Sequence, residues 1–532
     1  MRTRFARADS GRRRWSAGAA VGPPRFLAVA RRSERGVLLV VVLGLVVLLS
    51  LIGYTMSFSV RVHSRIADNS VREAQARYLA AAAVEQSTAI LLLDETVVDG
   101  PEDPWLDPTF FEPLELGEGT YEASYPDPTA ETGLAYGLQD ESAKLNLNTA
   151  TREQLLLLPN MTDSMADALI DWRDADDIPG TFGAESDYYS ALDDPYEAKN
   201  ANLTSLRELL LIRGFDETVV YGEDTNGNGQ LDPNEDDGDA SPPNDDADGV
   251  LDEGLLPYAT VFSADRNIQN TGKPRVNIQS ASAEELMGAL AGLSRQEADA
   301  IVNYRNGHSF QSIADLLNVT PSGQEAKKSR SLGSSRQSID RGGARQTSPS
   351  VGSSGQAIGT RKQSNLASRS PRSGGGSSNQ APADESSGQA SSESSSKGSS
   401  SSGSQPLFTT ARLRQWADAI TVTDEPVLPG LINLNTASPE VLATLPGLSE
   451  DDVMQIGLLR SAGVAPFQTV GDLFNLPGMS ESKFREVVDK VTTRSFQFTV
   501  HAKGKLASGR AQKEIEAVLE RDENGVHALY WR

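Results

Sequence analysis

From residue 36 to residue 60 the chain reads GVLLVVVLGLVVLLSLIGYTMSFSV, 25 positions without a charge. As a helix rising ~1.5 Å per residue this run reaches about 37 Å, enough to cross a ~30 Å hydrocarbon core with some tilt. Residues 61–93 contain neither Gly nor Pro, and Ala67, Val71, Ala74, Tyr78, Ala81 and Val84 recur at spacings of three and four. That period predicts one long helix, first apolar and then amphipathic, with those six residues on its packed face. At the other end the pattern changes to alternation: residues 495–502 (SFQFTVHA), about 510–521 and 526–532 (VHALYWR), with turn signals at Gly504, Gly509 and Asn524-Gly525. These predict strands, as do 119–125 and 134–139 beside the first helix.

Between these ends one motif occurs three times. The copies are LNLNTATREQL from Leu145, VNIQSASAEEL from Val276 and INLNTASPEVL from Ile432. Each is an aliphatic–Asn–aliphatic stretch followed by a helix start, with Thr149, Ser280 and Thr436 as expected N-caps and Glu153, Glu284 and Glu440 in the first turn. Hairpins follow at Leu158-Pro159-Asn160-Met161, Leu290-Ala291-Gly292-Leu293 and Leu445-Pro446-Gly447-Leu448, with a further one at Leu476-Pro477-Gly478-Met479. The arrangement resembles the helix-hairpin-helix motif. In its DNA-binding use, hairpin amides and a nearby cation hold a phosphate. Here the hairpins are followed by Asp163, by Arg295 beside Glu297, and by Glu450-Asp451-Asp452. Acids at a phosphate site are repulsive, which points to a structural or protein-binding module and not to nucleic acid.

Charge sharpens this division. The total is −24, yet residues 1–36 carry ten Arg against two acids and residues 322–404 carry eleven Lys/Arg against five, leaving −38 on the rest. Residues 322–405 are Ser- and Gly-rich with few large apolar side chains, a composition expected to be disordered. No cysteine is present and the four histidines lie far apart, so thiolate chemistry is excluded and no acid–base constellation is evident. The chain is therefore expected not to be an enzyme.

One local pattern carries metal chemistry. Residues 224–235, DTNGNGQLDPNE, match the spacing of an EF-hand calcium loop. Asp224, Asn226, Asn228 and a bidentate Glu235 would offer side-chain oxygens, Gln230 a backbone carbonyl, and Asp232 a direct or water-mediated contact. A second acidic cluster, 244–253, repeats the first half of the loop, with Asp246, Asp248, Asp252 and Glu253 as weaker candidates and Leu255 at its twelfth position. The expected cofactor is a structural Ca2+.

The junction Arg35-Gly36-Val37 places a basic segment ending in Gly directly before the apolar helix. It resembles the type III signal of pilins and pseudopilins, which a prepilin peptidase cuts after the Gly, here between Gly36 and Val37. Most relatives carry Glu at the fifth mature position; this chain has Val41. With LNLNTAT, Asp171-Trp172-Arg173-Asp174, Gly183-Ala184-Glu185, Tyr188-Tyr189, Pro195-Tyr196 and the ending FTVHAKG…HALYWR, the chain resembles the minor pseudopilin K family of type II secretion systems. The resemblance implies an α+β fold: a pilin-like long N-terminal helix and small antiparallel sheet, interrupted by all-α helix-hairpin-helix domains. It also implies bound calcium, minor pseudopilins I and J as partners, and a place at the pseudopilus tip. Arg31, Arg32 and Arg35 put the N-terminal side in the cytoplasm, so the chain would cross the inner membrane once with its bulk periplasmic. The expected divisions are a leader 1–36, helix 37–95, first sheet part 96–143, helical domain 144–321, linker 322–405, second helix-hairpin-helix domain 406–493 and final strands 494–532. A membrane-tethered DNA-uptake protein built on the same repeats is the alternative.

Overall fold

The computed structural model describes residues 34–94, 96–127, 133–225, 231–238, 240–242, 245–323, 405–461, 467–509 and 511–532. The leader 1–33 and the body of the Ser/Gly-rich segment, 324–404, lie outside them, and with them the expectation of disorder there.

A single helix, Glu34–Leu93, runs for 60 residues. Its apolar first half is exposed from Leu38 to Val60, and its second half lies on an antiparallel sheet. The strand order is Leu114–Leu116, Gly119–Pro126, Gln497–Leu506, Gln512–Asp522, Gly525–Trp531. Leu134–Tyr136 and Gln139–Asp140 pair at the side. Alternation decides which face is buried: Phe498, Val500 and Ala502, with Ile515, Ala517 and Leu519, meet the helix through Ala80, Ala83 and Val84. The packed helix face agrees with the expected one only at its end: Val84 is buried and Ala81 half-buried, but Ala67, Val71, Ala74 and Tyr78 are exposed, while Ala76, Leu79, Ala80 and Ala83 are buried. Small residues are selected because the helix backbone at Ala76 and Ala80 lies against Gly504, where any Cβ would collide.

A buried carboxylate trio ties the end of this helix to the C-terminal hairpin. Arg521 donates to Asp94 Oδ2 at 2.7 Å and to Asp99, while Asp103 accepts the Gly100 amide at 2.7 Å and the Thr96 hydroxyl at 3.0 Å.

Everything between Asp140 and Ser495 is the helical insertion, and its three motif copies are three versions of one unit. Each opens with a two-residue strand and closes with another that pairs to it in parallel: Leu145–Asn146 with Ala259–Thr260, Val276–Asn277 with Ile420–Thr421, Ile432–Asn433 with Val491–Thr492. Between these strands come two helices around a hairpin, a 3-10 turn and a closing helix: Glu217–Tyr221, Thr410–Trp416 and Glu481–Val487 respectively. The opening helices are short, and each is capped by a side chain. Their N-caps are Thr151, Ser282 and Ser438, two residues beyond the expected Thr149, Ser280 and Thr436. The reason is a turn: the Ala150, Ala281 and Ala437 amides bond back to the Asn146, Asn277 and Asn433 carbonyls, and this turn consumes the expected cap positions.

This architecture also corrects a boundary. Residues 406–421 belong to the second copy and not to the third, because Thr410–Trp416 and Ile420–Thr421 complete it. Arg412 pairs with Glu297, holding that carboxyl down to about 2, and Trp416 donates to the Ala291 carbonyl at 3.1 Å. The third copy, at about sixty residues, is the unit without additions. The first carries the acidic loops between its closing helix and closing strand, and the second carries the long basic segment after Val319. Leu407 donates to the Val319 carbonyl at 2.7 Å, so that segment leaves and returns at one point.

Candidate functional site

The motif residues act as the internal frame of each copy. In the opening Asn-x-Asn/Gln, the first Asn accepts the amide two residues on: Asn146 from Asn148 at 2.9 Å, Asn277 from Gln279 at 2.8 Å, Asn433 from Asn435 at 2.9 Å. The second holds the chain entering the later half: Asn148 accepts from the Leu203 amide at 2.7 Å, Gln279 from Phe310 at 2.9 Å, Asn435 from Phe467 at 2.7 Å. An arginine ending the second helix then fills the carbonyls of the opening turn. Arg173 donates to Leu147 and Ala150, Arg305 to Ile278 and Ala281, and Arg460 to Leu434 and Ala437. Burial pushes Arg460 down to about 10 and lowers Arg173. These arginines are half-buried struts whose guanidinium groups are taken up by backbone carbonyls.

The hairpins share one geometry. Asn160, Gly292, Gly447 and Gly478 have φ of 58°, 78°, 83° and 84°, which explains Asn or Gly at each. Around them the charges pair: Arg152 with Asp163 and Asp167, Arg295 with Glu284 and Asp299, Lys483 with Asp452.

In the loop 224–235, Asn226, Asn228 and Gln230 fall outside the described residues, while Asp224, Asp232 and Glu235 fall within them. Asp224 is 3 % and Glu235 1 % exposed. Glu235 Oε2 accepts the Asp232 amide at 3.0 Å, and Oε1 is buried with no hydrogen-bond partner. Burial, and then the negative fields of Asp224 and Asp232, raise the Glu235 pKa. The described members Asp224, Asp232 and Glu235 are hard oxygen donors of the kind Ca2+ takes, and a buried carboxylate in this state is suited to a cation.

The second cluster is built differently. Asp246, Asp248 and Asp252 each accept an amide two residues on, from Asp248 at 3.1 Å, Val250 at 2.8 Å and Gly254 at 3.1 Å. These are turn-forming contacts. Burial, and then the negative charges of Asp224 and Asp252, raise the Glu253 pKa. Asp224 also borders a cleft of about 310 Å³ between the polar face of the sheet and the first copy, shared with Lys144, His501, Glu516 and Tyr530.

At the membrane end Gly36 and Val37 lie on the backbone of the long helix. This helix is long and apolar enough to span a bilayer.

Family models described as "Type II secretion system (T2SS), protein K" match residues 136–221 and 432–493, and one described as a helix-hairpin-helix motif matches residues 272–326. A curated relative, type II secretion system protein K of Pectobacterium carotovorum subsp. carotovorum, is 27% identical over 196 residues. That match takes in 35% of this chain and 60% of the relative, so the chain spans under two thirds of the relative's length. Among solved structures, the GspK-GspI-GspJ complex of the type 2 secretion system of enterotoxigenic Escherichia coli is similar at 12% identity and a TM-score of 0.39, covering 89% of this chain and 98% of that one. The first model spans the first copy from its opening strand through its closing helix and stops short of the loop 224–235, and the second spans the whole of the third copy.

Proposed function

We propose that this chain, which carries two protein K domains of the type II secretion system, is a minor pseudopilin at the tip of a pseudopilus, where it starts or caps assembly for protein secretion across the outer membrane. The observation that carries the reading is the long helix, exposed and apolar at its start and laid on a sheet at its end, with a large helical insertion between the strands. Such a subunit is held in the inner membrane by its first half and can stack on others through that helix. Val41 fits the topmost position. A carboxylate there would have no subunit above to pair with, and an ionised group within hydrocarbon costs about 3 kcal/mol on insertion scales. The partners in this reading are minor pseudopilins I and J and the prepilin peptidase. Among the described residues the hairpins are bordered by acids and their cations are paired, which disfavours nucleic acid there.

The reading includes one structural Ca2+ in the loop 224–235. Asp224, Asn226, Asn228, Asp232 and Glu235, with the Gln230 carbonyl, would hold it. The ion would supply positive charge to carboxylates that otherwise repel one another.

The test is the intact mass and N-terminal peptide of the chain recovered from membranes. A mature N-terminus at Val37, N-methylated, is expected. A chain still beginning near Met1 would overturn prepilin processing and with it the tip role.

A further inference from the structure

We propose that the cleft between the sheet and the first helical copy is a binding site for a small neutral sugar, a mono- or disaccharide held by hydroxyl contacts between aromatic walls. The cleft has a volume of about 310 Å³. That is at the lower end of the range of small-molecule pockets, ~300–1,000 Å³. Its floor is the sheet face turned away from the long helix, where Thr499, His501 and Lys503 alternate with the buried Phe498, Val500 and Ala502. Its roof belongs to the first copy and includes Tyr221, at the end of the closing helix, and Phe262.

The lining indicates the ligand class. Charges are present, but they are spent on one another. Lys144 pairs with Glu141 at 3.2 Å, Lys503 with Glu514 at 3.5 Å and Arg532 with Glu516 at 3.4 Å. Glu122 stands across from Lys503 in the strand register, and Asp224 belongs to the loop 224–235. The two that remain, Arg207 and Glu253, are of opposite sign. The cleft therefore presents no field of one sign, and an ion is not the ligand it favours.

What stays unspent is neutral hydrogen-bonding capacity. Among the described residues, no hydrogen bond is made by the His501 ring or by the hydroxyls of Tyr136, Tyr221 and Tyr530, all of which line the cleft. Burial lowers the His501 pKa, so its ring is neutral at pH 7, one nitrogen donating and the other accepting. A tyrosine hydroxyl likewise does both. The matching ligand donates and accepts at several points without carrying charge, which describes a polyol. The walls add the second half of the match. The Phe262 and Tyr530 rings stand 6.1 Å apart at 41°, joining roof to floor, and the C–H faces of a sugar ring are the apolar surface that such rings cover. A peptide fits less well, because it seeks a free strand edge and the floor strands Gln497–Leu506 and Gln512–Asp522 are paired on both sides. The inference rests on this cleft and not on the secretion reading.

The experiment uses the full chain in lauryldimethylamine oxide, a detergent with no sugar headgroup to compete. Glucose, N-acetylglucosamine and cellobiose are titrated in turn, with choline chloride and sodium glutamate as charged comparisons. Saturation-transfer NMR and calorimetry follow binding. At least one sugar should bind with a Kd below about 10 mM, and more tightly than either charged probe. Y221F and Y530F should each weaken that sugar about threefold to tenfold, the worth of one neutral hydrogen bond. Both keep the ring and its packing, so their thermal midpoints should match wild type. Y188F, which lies outside the cleft, should leave affinity unchanged. The proposal falls if no sugar binds, if choline or glutamate binds more tightly than every sugar, or if Y221F and Y530F keep wild-type affinity. An equal loss in Y188F would also overturn it, since the sugar would then lie elsewhere.

Discussion

Two buried trios of carboxylates, Asp94/Asp99/Asp103 and Asp171/Asp174/Glu185, have the same compactness, each with ligand oxygens within 4.8 Å of one another. They differ in what neutralises them. The first has Arg521, brought from 422 positions away by the final hairpin, and each of its members has hydrogen-bond donors. Among the described residues, the second has backbone amides on Asp171 and Asp174, no arginine or lysine paired to it, and a glutamate whose two oxygens have no hydrogen-bond partner. The first is a closed internal ion pair that locks helix to sheet; the second has no such cation among the described residues. Acidic clustering alone does not separate the two outcomes. The presence or absence of a built-in cation does.

The sharpest way to break this contrast is to remove the built-in cation. Arg521→Met should cost about 3–5 kcal/mol, because two carboxylates stay buried without compensation. Urea unfolding would measure it. The loss should be smaller at pH 5 than at pH 8, since burial already raises Asp99 to about 8 and a protonated Asp99 needs no partner.

The second trio should show its state through pH. Glu185 is raised from 4.5 to about 7. In chelator its ionisation therefore opposes folding: the penalty is absent below pH 4.5, grows as pH rises toward 7 and is full above it. The stability difference between E185Q and wild type should accordingly rise across that window, to on the order of 2 kcal/mol in favour of E185Q at pH 8. Thermal midpoints in chelator at pH 4.5 and pH 8 check this, and a pH-independent difference would count against the carboxylate's isolation.

A third solution to buried charge is the strut arginine, which is satisfied by carbonyls alone. Replacing Arg460 by Met should cost about 1–3 kcal/mol through orphaned carbonyls. The effect should resemble that of Arg305→Met, since the two copies share the geometry. Unequal losses would mean that the copies are not energetically equivalent.

Much of the fold is written in local pattern. The apolar run, the long helix, the alternating C-terminal strands and the four hairpins each follow from residues within a few positions of one another, so periodicity and turn chemistry expose them. The closing halves of the three copies do not. Ala259–Thr260, Ile420–Thr421 and Val491–Thr492 are two-residue strands whose partners lie 114, 144 and 59 positions earlier. A pair that short has no period to read, and in the second copy a long segment separates it from its own first half. The helix face is legible only at Val84 and Ala81; farther up, the close approach of the Ala76 and Ala80 backbone to Gly504 turns a neighbouring face to the sheet and leaves Tyr78 outside. For the carboxylate clusters, the 224–235 loop is legible because its expected ligands are sequential. Glu185 is not, because only the fold reveals that its oxygens lie beside Asp171 and Asp174 and meet no donor.

The bond between Leu407 and Val319 joins residues 88 positions apart. It separates the architecture of the second copy from whatever runs between these points. The entropic cost of closing such an excursion grows only logarithmically, about 0.6 kcal/mol for each doubling of its length. Folding selection thus exerts little grip on how long that stretch is, and its length can drift between lineages while the surrounding unit stays fixed. The same junction is a natural splice point: an epitope or a small reporter domain with adjacent termini, placed there, would leave the second copy's parallel strand pair intact.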